Sequence, residues 1–167
     1  MASSVLQLNG TPWLPRKWDT RDILILKDHS GDFLPAAYVS RTFAPDQDTA
    51  AHVRRNIYTR NEQVFALGVA LIELAYGSPL LSFIIAEDLD ECGEVIPSTE
   101  LSIANRLADR IGTREPENYA NAVLRCIWCS FDTAKSDFDD SQFREKFFDG
   151  VVTPLQANWD YANGTGI

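Results

Sequence analysis

Cys126-Ile127-Trp128-Cys129 has the C-x-x-C spacing that holds zinc or carries out dithiol redox chemistry. A structural zinc site needs about four ligands, and the chain has one further cysteine, Cys92, and two isolated histidines, His29 and His52. The run from Tyr119 to Phe131 has helical apolar spacing, so the two thiols are expected to fill a helix interface as buried groups. Three cysteines supply no disulfide framework. Asp137, Asp139 and Asp140 suggest a calcium loop, but counting from Asp137 puts Gln142 and Phe148 where an EF-hand needs Gly and Glu. Capping and solvation are the expected uses of these acids. No Gly-x-Ser-x-Gly, phosphate-cradling Gly-rich loop or His-Glu-x-x-His occurs, so hydrolase chemistry has no candidate centre. The expected catalytic, metal and cofactor sets are therefore empty.

Trp13 and Trp18 flank Arg16 and Lys17, an arrangement that can present a recognition surface with cation-π contacts. Such tryptophans more often pin a loop to the core, and that reading is preferred. Arg54, Arg55 and Arg60 form a second basic group ahead of the most apolar stretch. Neither set interleaves with stacking aromatics, and the net charge of -9 disfavours nucleic acid, whose affinity comes largely from Lys and Arg displacing counterions.

The elements that must position these residues centre on 60–80. Between Val64 and Ala75 only Glu73 is charged, so a helix here is expected to be packed on all sides, with Phe65, Leu67, Gly68, Leu71 and Leu74 in the core. An unpaired charge in such a helix is expensive. Glu73 should meet an arginine or a helix end, or else face a polar groove.

Residues 1–8 are expected to form the tail of a helix broken by Asn9-Gly10-Thr11-Pro12. Ile23 to Leu26, the turn Asp28 to Asp32 and a strand around 36–40 suggest a small hairpin. The stretch 42–59 shows no clear strand pattern. Glu87 to Glu91 reads as an acidic loop. A helix opened by Ser98-Thr99 places Leu101, Ala104, Leu107, Ala108 and Ile111 on one face and stops at Gly112, and another starts at Pro116. Asp139 with Gln142 resembles a capping pair for a last helix carrying Phe143, Phe147, Val151 and Leu155. The expected organisation is one mainly α domain over 1–157 with one small β-hairpin, then a flexible tail over 158–167.

At 167 residues and 45% hydrophobic content the chain is long enough for one substantial core. No apolar run approaches the roughly 18 residues that span a bilayer. Met1-Ala2-Ser3-Ser4 lacks the basic start and apolar stretch of a signal peptide. A soluble, cytoplasmic protein without membrane or nucleic-acid partners is expected.

The order of elements, and the segment Phe65-Ala66-Leu67-Gly68 through Glu73-Leu74 to Gly77-Ser78-Pro79, resembles the large lobe of eukaryotic protein kinases from the catalytic loop onward. Matching Asp22-Ile23-Leu24-Ile25 to the metal-binding Asn and following strand puts Lys17 where the catalytic base stands. It also puts Ala37-Tyr38-Val39 in place of Asp-Phe-Gly, and Gln63 replaces the Asp that opens the central helix. Phosphoryl transfer needs charge-neutralising cations and a base that orients the attacking hydroxyl. The resemblance thus implies the scaffold without the catalytic carboxylates.

Thr11-Pro12-Trp13-Leu14, Trp18 with Asp22-Ile23, Tyr38-Val39-Ser40, Arg60-Asn61-Glu62, Tyr119 with Cys126, and Phe143 through Leu155 are similar to a fungal family of kinase-like domains of unknown function. Its members look like pseudokinases, some linked with incompatibility and cell-death signalling. This resemblance implies a non-catalytic protein-interaction or scaffold domain of fungal intracellular signalling, with a protein partner or a second copy as ligand. Its expected contact surfaces are the loop with Trp13, Arg16, Lys17 and Trp18, and the connection 42–59 with Arg54 and Arg55. The alternative is a degenerate nucleotide-binding or atypical phosphotransferase domain using Asp22 and Lys17.

Overall fold

This computed structural model describes residues 1–14, 18–40 and 59–164. They form a mainly helical body with one two-stranded antiparallel sheet. Helix α1 (Ala2–Leu8) buries Ala2 and Val5 against the body, and Gly10, at φ +72°, turns the chain out of it. The hairpin follows, with β1 (Ile23–Lys27) and β2 (Phe33–Val39) paired as Ile23 with Val39, Leu24 with Tyr38, and Ile25 with Ala37. Its register shifts between Ile25 and Lys27. Asp28 Oδ1 accepts from the Ser30 and Asp32 amides to close the turn. β2 begins three residues earlier than the sequence suggests, because a polar Ser-Gly-Asp turn ends at Asp32 and Phe33 is already paired with Lys27.

The central helix α2 (Glu62–Tyr76) is capped by Asn61, whose side chain accepts from the Gln63 and Val64 amides. It stops at Gly77, which adopts φ +67°, a left-handed conformation that glycine takes at little cost. Val64, Phe65, Leu67, Gly68, Ala70, Leu71 and Ile72 are buried. Helices α3 (Thr99–Ala108) and α4 (Glu117–Trp128) pack against it. Gly68 is the point of closest approach: a Cβ there would meet Ile127 Cδ1 at 2.7 Å and Cys126 Cβ at 3.0 Å. The Tyr119 hydroxyl on α4 donates to the Leu71 carbonyl at 2.7 Å.

Helix α5 (Ser141–Phe147), one π-helical turn (Phe148–Val152) and α6 (Thr153–Ala162) complete the body. Phe131, Phe138, Phe143 and Phe147 form a buried cluster, with edge-on ring pairs 5.0 to 5.2 Å apart. Phe143, Phe147 and Val151 are all fully buried. A four-residue repeat drifts by about 40° per step around an α-helix. The wider π turn absorbs that drift and keeps the stripe on the core.

Three expectations are corrected. Leu74 is 56% exposed, on the outward side of the last turns of α2, where Ile72 is buried and Ala75 and Tyr76 pack against the core. The cap of α5 is Asp140, whose Oδ1 accepts from the Phe143 amide, one residue later than the Asp139 and Gln142 pairing. Helix α3 ends at Ala108, and Gly112 instead lies in a 3-10 turn (Ile111–Thr113). Helix α6 runs as far as Ala162, within the stretch 158–167. No helix among the described residues is long and apolar enough to cross a membrane.

Candidate functional site

Trp13 and Trp18 have opposite fates. Trp18 is buried, keeping 5% of its surface, while Trp13 is 48% exposed. The preferred reading, that both pin the loop, therefore describes Trp18 alone. Arg16, Lys17, Arg54 and Arg55, with the connection 42–58, lie outside the described residues.

After Trp18 the chain makes a 3-10 turn (Thr20–Asp22) closed by reciprocal caps. Asp19 Oδ1 accepts from the Arg21 amide, and Asp22 Oδ2 accepts from the Asp19 amide at 3.0 Å. Asp19 also forms an ion pair with Arg21. Asp22, which the sequence reading considered as a metal ligand, has a carboxylate oxygen engaged in a local backbone cap.

Glu73 ties this turn to α2. Thr20 Oγ1 donates to Glu73 Oε2 at 2.6 Å, and the Leu80 amide donates to Glu73 Oε1 at 2.8 Å. The expected helix-end contact is present, made with a hydroxyl and a backbone amide. Hydrogen bonds to an ionised carboxylate are stronger than neutral ones, which offsets part of the cost of holding the charge near the core.

These contacts form one wall of a groove of about 450 Å³. Phe65, Ala66, Val69 and Leu81 supply its apolar surface. Among the described residues its lining also carries Asp19, Glu62, Glu73 and Glu100, with one cation, Arg21, which is paired with Asp19. Thr59 Oγ1 and Trp18 Nε1, both on residues lining the groove, are buried without a hydrogen-bond partner. Sequence reading found Glu73 and Trp18 but missed Thr20, Thr59, Glu62 and Glu100, which come from three separate stretches of the chain.

Trp18 also lines a smaller cavity of about 190 Å³ on the side of α1 and the hairpin, together with Trp13, Leu14, Ile23 and Tyr38. Beside it the hairpin exposes large apolar side chains: Leu24, Ile25, Leu26 and Tyr38 are each 42 to 56% exposed.

The thiols take no part in either cavity. Cys126 and Cys129 are buried, and burial pushes both thiols up from their ordinary value, with Ser136 and Arg60 opposing the shift at Cys129. Thiols held protonated are poor nucleophiles and ligands. Among the described residues no three His, Cys, Asp or Glu side chains gather as a metal set.

A second polar centre escaped the sequence, which treats Asp88 as part of an acidic loop. Asp88 is buried and accepts from Ser102 Oγ at 2.6 Å, Arg106 Nη2 at 2.7 Å and the Ile85 amide at 3.1 Å. Burial works to raise its pKa, but the Ser102 and Arg106 hydrogen bonds outweigh it and hold the carboxyl below its ordinary value. Ser102 and Arg106 are four apart on α3, a polar pair that could have signalled the missing acid.

Residues 1–161 match the family model described as Domain of unknown function (DUF7580), and the chain belongs to that family. No curated protein and no solved structure matches it.

Proposed function

We propose that this chain is a non-catalytic, kinase large-lobe-like protein-interaction domain of fungal intracellular signalling, and that its groove receives a cationic partner segment carrying large apolar side chains. The observation that carries the reading is the groove's composition, an apolar surface over α2 lined also by carboxylates. Among the described lining residues acids outnumber bases, on a molecule whose overall charge is -9. Such a field raises the local concentration of cationic partners and speeds their association. The aliphatic stem of a Lys or Arg suits the surface of Ala66 and Val69 while its charge reaches the rim.

The carboxylates also argue against phosphoryl transfer. Asp22 is engaged in closing the turn and Glu73 in holding it on the helix, and a lining rich in carboxylates disfavours a polyphosphate.

The test is fluorescence anisotropy with a labelled nonapeptide of alternating Arg and Leu. Glu100 is exposed, so Glu100→Lys should leave the fold intact and weaken peptide binding by about fivefold, or about 1 kcal/mol. Glu145→Lys, the same charge change on exposed α5, should not. Equal loss in both variants would reduce the effect to net charge, and no binding by the wild type would remove the groove from the proposal.

A further inference from the structure

We propose that the smaller cavity, between α1 and the hairpin, is an aromatic cage for a quaternary ammonium group of the kind carried by choline or trimethyllysine. Trp13, Trp18 and Tyr38 line it together with Asp22. A quaternary ammonium has no N–H to donate, so hydrogen bonds cannot select it. Its recognition rests on the negative faces of aromatic rings, reinforced by a carboxylate at longer range. This lining holds both kinds of group, brought together from the 13–22 stretch and from the end of β2. At about 190 Å³ the cavity is below the roughly 300–1,000 Å³ of sites for drug-sized ligands, which suits one head group and little more.

Charge and desolvation select the ligand class. Among the described residues of the lining, Asp22 has the one charged side chain, which favours a cation over an anion. Burying a primary ammonium leaves three N–H donors to satisfy, whereas a trimethylated one has none and offers an apolar surface to Val5, Leu14 and Ile23. The Met1 amine also stands at this cavity, and its burial lowers its pKa, which lessens its repulsion of a bound cation.

The walls are fixed before a ligand arrives. Trp18 is anchored in the core. Asp22 Oδ2 accepts from the Asp19 amide, and the Ser40 amide donates to the Asp22 carbonyl at 2.9 Å, so the end of β2 is tied to the same residue. Tyr38 is held by its pairing with Leu24. Trp13 and Tyr38 are half-exposed and form the side open to solvent. Groups already in place spare the cost of ordering them on binding. The cage does not depend on what the carboxylate groove receives, so each reading can fail without the other.

The test is isothermal titration calorimetry on the full chain with choline, with the neutral isostere of choline in which carbon replaces the nitrogen, and with a Gly-Lys-Gly peptide in trimethylated and unmethylated forms. Choline or the trimethylated peptide should bind saturably, and the tighter of the two identifies the source of the head group. The neutral isostere and the unmethylated peptide should bind at least about tenfold more weakly. Trp13→Leu, and Asp22→Asn, which can keep the cap on the Asp19 amide, should each weaken binding about fivefold. Trp159→Leu, a change to an exposed ring on α6, should not. No saturable binding of either trimethylammonium ligand overturns the proposal. So does a neutral isostere that binds as tightly as choline, or an affinity that Trp13→Leu leaves unchanged.

Discussion

Trp18 joins the core, the groove and the smaller cavity, and its indole nitrogen is buried without an acceptor. The ring's apolar burial must therefore outweigh the cost of an unmade hydrogen bond. Two substitutions separate those contributions. Trp18→Ala removes the packing and should cost about 3 kcal/mol of unfolding free energy in a urea titration. Trp18→Phe removes the orphaned N–H with less of the volume and should cost about 1 kcal/mol or less. Equal losses would mean that the indole N–H has a partner after all. Glu73 illustrates the same economy of polar groups. Its position on an apolar helix was visible in the sequence, but its partners were not, since Thr20 lies 53 residues away and Leu80 contributes only a backbone amide.

At the scale of elements, Asp88 fastens the segment after α2 to α3. Its carboxylate reaches Ser102 and Arg106 on that helix, and Thr99 Oγ1 on the same helix donates to the Asp88 carbonyl at 2.7 Å. A carboxyl whose folded pKa lies below its unfolded value stabilises the fold fully above the unfolded value, and the contribution is lost as pH falls through the folded one. Asp88→Asn should therefore cost about 3 kcal/mol at neutral pH, because Arg106 loses its charged partner. The gap between variant and wild type should close as pH falls below the ordinary carboxylate range. A gap independent of pH would show that shape, not charge, carries this contact.

The elements themselves were largely legible. Asn61 before an apolar run and Gly77 after it bound α2, and Pro116 opens α4, since caps and stops act through neighbouring backbone groups. Leu74 was misplaced because a helix that is apolar all round gives no signal of which side faces outward. The π turn was hidden for a related reason: Phe143, Phe147 and Val151 read as one stripe, and only the accumulated drift calls for a wider turn. The groove was the least legible feature, being assembled from the 18–22 turn, Thr59, α2 and the start of α3.

At the scale of the molecule, one helical body carries an acidic groove and an apolar hairpin on a chain of net charge -9. The proposed role as a binding scaffold and the alternative of a nucleotide-handling remnant differ in which ligand stabilises the folded state. A ligand that binds only the folded form raises stability by about 2.7 kcal/mol at a hundred times its Kd. For a domain of this size that is a rise of several degrees in Tm, at about 2–4 °C per kcal/mol. Thermal unfolding of the wild type, titrated in parallel with the Arg-Leu nonapeptide and with ATP plus magnesium, is the most direct discriminator. The proposed role predicts a saturable rise with the peptide, weakened by salt, and an unmoved Tm with the nucleotide; a saturable, magnesium-dependent rise with ATP and none with the peptide would contradict it.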